Sequence, residues 1–124
     1  MNFEQPADRD QPDGPRFAQR ATLLHRDEAA PTVMITAGYF IYPEYQDLGE
    51  PALLLAGNQL AVEHRFFTPS RPDPADWSTL TIEQAAADHH RISMALRSAI
   101  YTGPWVATGG SKSGMASVYF RRFY

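Results

Sequence analysis

The chain has 124 residues and a formal net charge of −3, a length that suits one small domain and a balance with no electrostatic footprint for nucleic acid or an anionic membrane. It contains no cysteine, which excludes disulfides, thiolate metal sites and cysteine nucleophiles. No apolar run approaches the about 18 residues of a membrane helix, and residues 1–19 lack a signal-peptide core, so the chain as written reads as a soluble segment that would stay in the cytoplasm.

Residues 1–15 are polar, with Pro6, Pro12, Gly14 and Pro15 interrupting any regular element, and read as an extended arm. Residues 16–25 carry Phe17, Ala21 and Leu23 at alternate positions, the pattern of a strand. After a charged turn, the β-branched run at 32–37 reads as a buried strand ending at Gly38-Tyr39-Phe40, where the backbone changes direction. Residues 43–57 form a loop with one apolar piece at 52–56, a single helical turn. The next strand is read at 59–67, and three prolines make 68–76 a stiff, extended surface loop.

The clearest helix spans 81–100. Thr81 caps it, Gln84 three residues on completes a capping box, and Leu80 staples against Ala85. Its apolar stripe is Ile82, Ala85, His89, Ile92, Leu96 and Ala99, at a period near 3.6. Gly103-Pro104 stops it, a strand follows at 105–108, and a second helix runs over 112–123. Strand and helix alternate from Gln59 onwards, which makes residues 16–124 an α/β domain with a mostly parallel sheet. Each crossover should be right-handed.

Between the strand at 105–108 and the last helix lies Gly109-Gly110-Ser111-Lys112-Ser113-Gly114. A serine flanked by small residues at a strand-to-helix turn has the layout of a nucleophile elbow, so tight that large side chains do not fit beside the serine. On this reading Ser111 is a nucleophile and the domain is the N-terminal part of an α/β-hydrolase. The Lys112 N–H supplies one oxyanion donor and the Tyr39 N–H, in the loop after the 32–37 strand, the other. The plainer readings are a helix cap or a phosphate loop; the full G-x-x-x-x-G-K-[ST] spacing of the latter is missing.

The histidines offer Ser111 no evident base, since in α/β-hydrolases the base follows the nucleophile in sequence. His89 lies on the apolar stripe and reads as a hydrogen-bonded core residue, His90 as solvated, and His25 as having no visible partner. His64, at a strand end, stays open. Asp88-His89-His90 is no metal motif, because adjacent helical residues diverge by about 100°. Glu63 and Arg65 leave a strand at the carboxyl edge of the sheet, where α/β proteins place ligands. They form an edge ion pair, or Glu63 binds the free amine of a substrate. Asp88 braces the loop below the elbow by hydrogen bonds.

Three stretches carry a resemblance: Val62-Glu63-His64-Arg65-Phe66-Phe67-Thr68-Pro69-Ser70-Arg71-Pro72, Gln84-Ala85-Ala86-Ala87-Asp88-His89-His90-Arg91-Ile92, and Thr108 through Met115. With Phe3-Glu4-Gln5-Pro6, Phe17-Ala18-Gln19-Arg20, Leu24-His25 and Arg121-Arg122-Phe123-Tyr124, they cover nearly the whole chain. The chain resembles the secreted bacterial serine tripeptidyl aminopeptidases of the PS-10 type, distant relatives of the lysosomal prolyl carboxypeptidases. The resemblance implies Ser111 as nucleophile with the Lys112 and Tyr39 amides at the oxyanion. It also implies no metal or cofactor, peptide substrates with free N-termini, and secretion; from their positions Glu63 is a candidate for the substrate amine, and Asp88, Arg65, Gly109 and Gly110 are candidate supporting residues. One departure is Ser113, where the family's Gly-Gly-Ser-Lys-Gly-Gly has glycine and where a Cβ would strain the turn.

Members of that family are several times longer, with the triad Asp and His beyond the nucleophile. The chain therefore reads as a fragment that is inactive alone and needs the rest of the fold for stability. The other readings are a catalytically dead hydrolase-like binding module and an esterase or lipase of the same fold.

Overall fold

The computed structural model of the chain describes residues 1–44 and 47–124. Strands β1 (Asn2–Pro6), β2 (Arg16–Leu24), β3 (Thr32–Thr36), β4 (Asn58–Val62) and β5 (Trp105–Thr108) form one sheet in the order β1-β2-β4-β3-β5. Helices α1 (Glu50–Leu54), α2 (Ile82–Ala99) and α3 (Lys112–Phe123) flank it. The sheet is mixed: β3 pairs in parallel with both β4 and β5, whereas β2 runs antiparallel to β1 and β4. The crossover through α2 therefore skips a strand, because β3 lies between β4 and β5.

The arm expected at 1–15 is instead half strand. Asn2↔Arg20 through Pro6↔Arg16 pair in register, and Pro6 is tolerated because it ends an edge strand, where no ladder donor is lost. The prolines shape only the return loop, which closes with Ala7 N–H donating to the Pro15 carbonyl at 2.8 Å.

The strand expected at 59–67 ends at Val62. Beyond it Phe66 adopts a φ of 70° and its N–H donates to the Ser70 carbonyl. The loop at 68–76 is accordingly not a purely surface element. Ser70 is fully buried, its hydroxyl donating to Glu63 Oε2 at 2.6 Å and accepting from the Arg20 N–H at 2.8 Å. The loop predicted at 43–57 includes residues 45 and 46, outside the described residues; its helical piece is α1, begun by Glu50-Pro51.

α2 starts as the sequence suggests, with Thr81 Oγ1 accepting from the Gln84 N–H at 3.2 Å. The reciprocal half of the capping box does not form. Gln84 instead donates to Asp8 Oδ1 at 2.6 Å and accepts from the Arg9 N–H at 2.8 Å, tying the return loop to the helix. The core is built where α2 crosses the sheet: Ala21, Met34, Leu60, Val62, Ile92, Leu96 and Tyr101 are buried together, with Trp105, Ala107 and Phe120 against them. Burying such side chains is worth about 1.5–3 kcal/mol each, which fixes α2 and, through it, α3.

A buried ion pair holds the polar half. Arg65 and Asp88 meet through two hydrogen bonds of 2.8 and 2.9 Å, both side chains without solvent exposure. The Arg65 guanidinium also donates to the carbonyls of Pro6, Ala7 and Thr79. It therefore joins β1, β4 and the turn before α2. Burial pushes the Asp88 carboxyl up to about 6, against the opposing pull of Arg65. Asp88 thus braces the hairpin and the α2 turn, not the loop below the elbow.

Candidate active site

The carboxyl ends of the three parallel strands converge on one edge. β3 delivers Gly38 and Tyr39, β4 delivers Glu63 to Arg65, and β5 delivers Gly109, Gly110 and Ser111. The turn at Ser111 is strained. Its φ of 53° and ψ of −127° lie in a region that residues with a Cβ avoid, at a cost of about 1–3 kcal/mol. Ser111 is exposed, and its hydroxyl makes no capping bond to α3. A serine kept only to cap the helix would accept from an N–H in the first turn; this one makes no such bond, and its hydroxyl has no partner among the described residues.

The neighbours explain how the strain is held. A Cβ on Gly109 would lie 1.9 Å from Ser113 Oγ, and one on Gly114 would lie 2.9 Å from the Gly109 carbonyl oxygen, so both must be glycine for the turn to close. Gly110 is different: a Cβ there meets nothing within 4 Å. Its contribution is its carbonyl, which accepts from the Ser113 and Gly114 N–H groups. Thr36, the last residue of β3, pins the helix start, donating to the Ser113 carbonyl at 3.0 Å and meeting Ser117 Oγ at 2.7 Å. Ser113 itself is helical; the strain sits at Ser111. The cost at Ser113 is a buried hydroxyl with no partner among the described residues.

The loop after β3 comes over this turn. A Cβ on Gly38 would fall 2.7 Å from Lys112 Cβ and 2.9 Å from its carbonyl carbon, so the Gly38–Tyr39 backbone lies against the first residue of α3. Among the described residues, neither the Tyr39 nor the Lys112 N–H donates to a protein acceptor. Tyr39 is held by its carbonyl, which accepts from the His64 N–H at 3.0 Å, and by the Lys112 ammonium 4.7 Å above its ring.

Glu63 is not an open cation site. It has no exposure, pairs with Arg20, accepts from the Ile41 N–H at 3.1 Å, and takes the Ser70 hydroxyl at 2.6 Å. The ion-pair reading of this residue survives, with Arg20 as the partner in place of Arg65. Arg65 is likewise internal and touches no open space.

His25 meets the Tyr101 hydroxyl at 3.0 Å, and His90 stacks on Tyr124 at 3.9 Å. His89, expected to be hydrogen-bonded, is buried with neither ring nitrogen partnered among the described residues. Burial holds it neutral, lowering its pKa to about 3. His64 is buried at the end of β4, its Nδ1 2.8 Å from the Arg65 carbonyl, and burial lowers its pKa too. A neutral imidazole facing a carbonyl must donate from Nδ1, which leaves Nε2 as the acceptor. No group of three metal-ligating side chains converges among the described residues.

The family model described as PS-10 peptidase S37 matches residues 1–124. The chain belongs to that family. A similar relative is a prolyl tri/tetrapeptidyl aminopeptidase of Streptomyces mobaraensis, 52% identical over 124 residues, which are 100% of this chain and 26% of the relative. The chain thus spans about a quarter of the length of that relative. Sequence reasoning missed Thr36, Gly38 and Ser117 as supports of the turn. Only Gly38 left a signal, as a glycine directly after a buried strand.

Proposed function

We propose that this chain is the nucleophile-bearing part of an S37 serine peptidase with the α/β-hydrolase fold, acting on peptides with free N-termini. The observation that carries the reading is Ser111: a non-glycine residue in a strained turn, at the carboxyl end of a parallel strand and the N-terminus of a helix, with its hydroxyl bonded to nothing among the described residues. Strain of this kind persists only where packing over-determines it, and it clusters at reactive positions. In the elbow geometry it lifts the nucleophile clear of the backbone.

In the mechanism, Ser111 Oγ attacks the scissile carbonyl while a base takes its proton. The Lys112 N–H, at the positive end of α3, and the Tyr39 N–H then receive the developing oxyanion. Closeness of the Gly38 and Lys112 backbones supports this pairing of donors. Since both amides lack protein acceptors among the described residues, no internal bond has to break before they act. The base and its orienting carboxylate belong to the part of the family's length that this chain does not span. The substrate ammonium must be read there as well, because the Glu63 carboxylate is consumed inside the fold. By resemblance the whole protein is secreted and releases tri- or tetrapeptides, and its acyl-enzyme forms on Ser111.

The reading is tested on the purified chain with a tripeptidyl chromogenic substrate and a serine-directed phosphonate. Without a base, turnover should not exceed the small residue left by oxyanion stabilisation and binding. Rapid, stoichiometric labelling of Ser111 in the chain alone would contradict the assignment of the base to another segment.

A further inference from the structure

Lys112 is the chain's sole lysine and stands directly after Ser111. Among the described residues no carboxylate pairs with it. Its ammonium lies instead over two rings, 4.7 Å from the centroid of Tyr39 and 5.3 Å from that of Phe67. Those rings meet edge to face, with their centroids 5.6 Å apart. A cation at these distances is attracted by the negative faces of both. A carboxylate would hold the ammonium as firmly, but it would set a negative charge beside a developing oxyanion. Ring faces hold it without one.

The path of the side chain matters as much as its end. A Cβ on Gly38 would lie 2.7 Å from both Lys112 Cβ and Cγ, so the lysine stem runs directly against Gly38. The Gly38–Tyr39 peptide carries the Tyr39 N–H, and the Ser111–Lys112 peptide carries the Lys112 N–H. One side chain thus leaves the residue of one donor and ends on the ring of the other. The end of β4 supplies the support behind them. Phe67 N–H donates to the His64 carbonyl at 3.3 Å, and the His64 N–H donates to the Tyr39 carbonyl at 3.0 Å. The His64 and Phe67 rings also meet edge to face, at 6.2 Å.

We infer that the Lys112 side chain is a clamp across the oxyanion site, holding the Tyr39 N–H at a fixed spacing from the Lys112 N–H, with the Phe67 ring as its backstop. The inference rests on the serine-peptidase reading above. The ammonium and the Phe67 ring are positioning groups that act through the two amides. Spacing matters because both donors must meet an oxygen that gains its charge only in the transition state, where a misplacement of about 1 Å costs on the order of 100-fold in rate. Without the cation, Tyr39 is still tied at its carbonyl. Its ring, 52% exposed, then loses the contact that stops the Gly38–Tyr39 peptide from pivoting about that bond.

The test uses a chimera in which this chain replaces its aligned segment in the Streptomyces relative, together with the 124-residue chain itself. Lys112→Met keeps the length of the stem and removes the charge. In the chimera it should lower kcat by about tenfold to a hundredfold, less than the roughly 10²–10³-fold of an absent donor. KM should change by less than about twofold, because bound substrate carries no oxyanion. Lys112→Arg, whose guanidinium also stacks on rings, should recover most of the lost kcat. Phe67→Leu should lower kcat by a smaller factor, since the Tyr39 face remains. In the 124-residue chain the urea midpoint of Lys112→Met should move by less than about 0.5 M, which separates positioning from folding. NMR of the chain with carbon-labelled lysine should place the Lys112 Cε protons upfield of their position in denaturing urea, and Phe67→Leu should move them back. A kcat indifferent to Lys112→Met, a loss that arginine does not rescue, a midpoint that collapses with kcat, or a Cε signal at its unfolded position would each overturn the clamp while leaving Ser111 as nucleophile. Turnover that survives Ser111→Ala would instead overturn the serine reading, and the clamp with it.

Discussion

Stability should fall in acid because His89 is buried without a hydrogen-bond partner among the described residues. Its folded pKa is lowered to about 3 from the ordinary 6.5, so the folded chain excludes a proton that the unfolded chain accepts. The contribution is fully present above 6.5 and is lost as pH falls from there towards 3. The linkage slope is about 1.4 kcal/mol per pH unit, or about 2.7 kcal/mol between pH 6.5 and 4.5. Asp88 acts in the opposite sense, since its raised folded pKa of about 6 stabilises the folded state below 3.8 and loses that effect as pH rises through 6. The wild-type profile therefore mixes two opposing slopes, and only a difference between variants isolates His89.

His89→Leu removes the titrating group and both unpartnered nitrogens while keeping an apolar body against Phe120, whose ring centroid lies 6.0 Å away. At pH 7 the variant should be no less stable than wild type and gain up to about 2 kcal/mol, because unpaired buried polar atoms cost about 1–3 kcal/mol. Urea unfolding from pH 7 to 4 gives both curves. Their separation should widen by about 1.4 kcal/mol per unit below 6.5. Parallel curves would show that His89 is protonated, or partnered, in the folded chain.

Arg65→Met leaves the Asp88 carboxylate buried without its cation and should cost about 3–5 kcal/mol at pH 7, with a smaller loss at pH 4.5, where Asp88 takes a proton; thermal melts at the two pH values check the order. Ser113→Ala removes an unpartnered buried hydroxyl and should raise stability by about 1 kcal/mol in urea. Ser113→Gly should fall below the alanine variant by about 1 kcal/mol, since glycine disfavours the helix. Gly38→Ala drives a Cβ to within 2.7 Å of Lys112 and should cost about 1–3 kcal/mol by overpacking, read as a lowered urea midpoint; an unchanged midpoint would mean that the loop does not rest on the elbow.

Periodic features were legible in the sequence. α2 announced itself through its stripe, its Thr81 cap and the Gly103-Pro104 stop. β5 and the strand-to-helix turn at Ser111 followed from an apolar run entering a small-residue turn. Illegible were the features that depend on partners distant in sequence. Gln84 looks like half of a capping box, yet Asp8 and Arg9, brought over by the β1–β2 hairpin, compete for its amide and win. Glu63 at a strand end looks like a ligand group until Arg20 and Ser70 close around it. β1 was hidden because a proline at a strand's last residue and one that breaks a strand are indistinguishable without the pairing. The strain at Ser111 was foreshadowed by its small neighbours, but not the roles of Thr36 and Ser117, which no local pattern reports.

The central claim, that Ser111 is the nucleophile of an S37 peptidase, is tested most directly by a chimera in which this chain replaces its aligned segment in the Streptomyces aminopeptidase, with which it is 52% identical. The chimera should hydrolyse a prolyl tripeptide substrate and be labelled by a phosphonate on Ser111. In it, Ser111→Ala should lower kcat by about 10⁴-fold or more with little change in KM. Turnover that survives Ser111→Ala, or a phosphonate adduct on any other residue, would contradict the account.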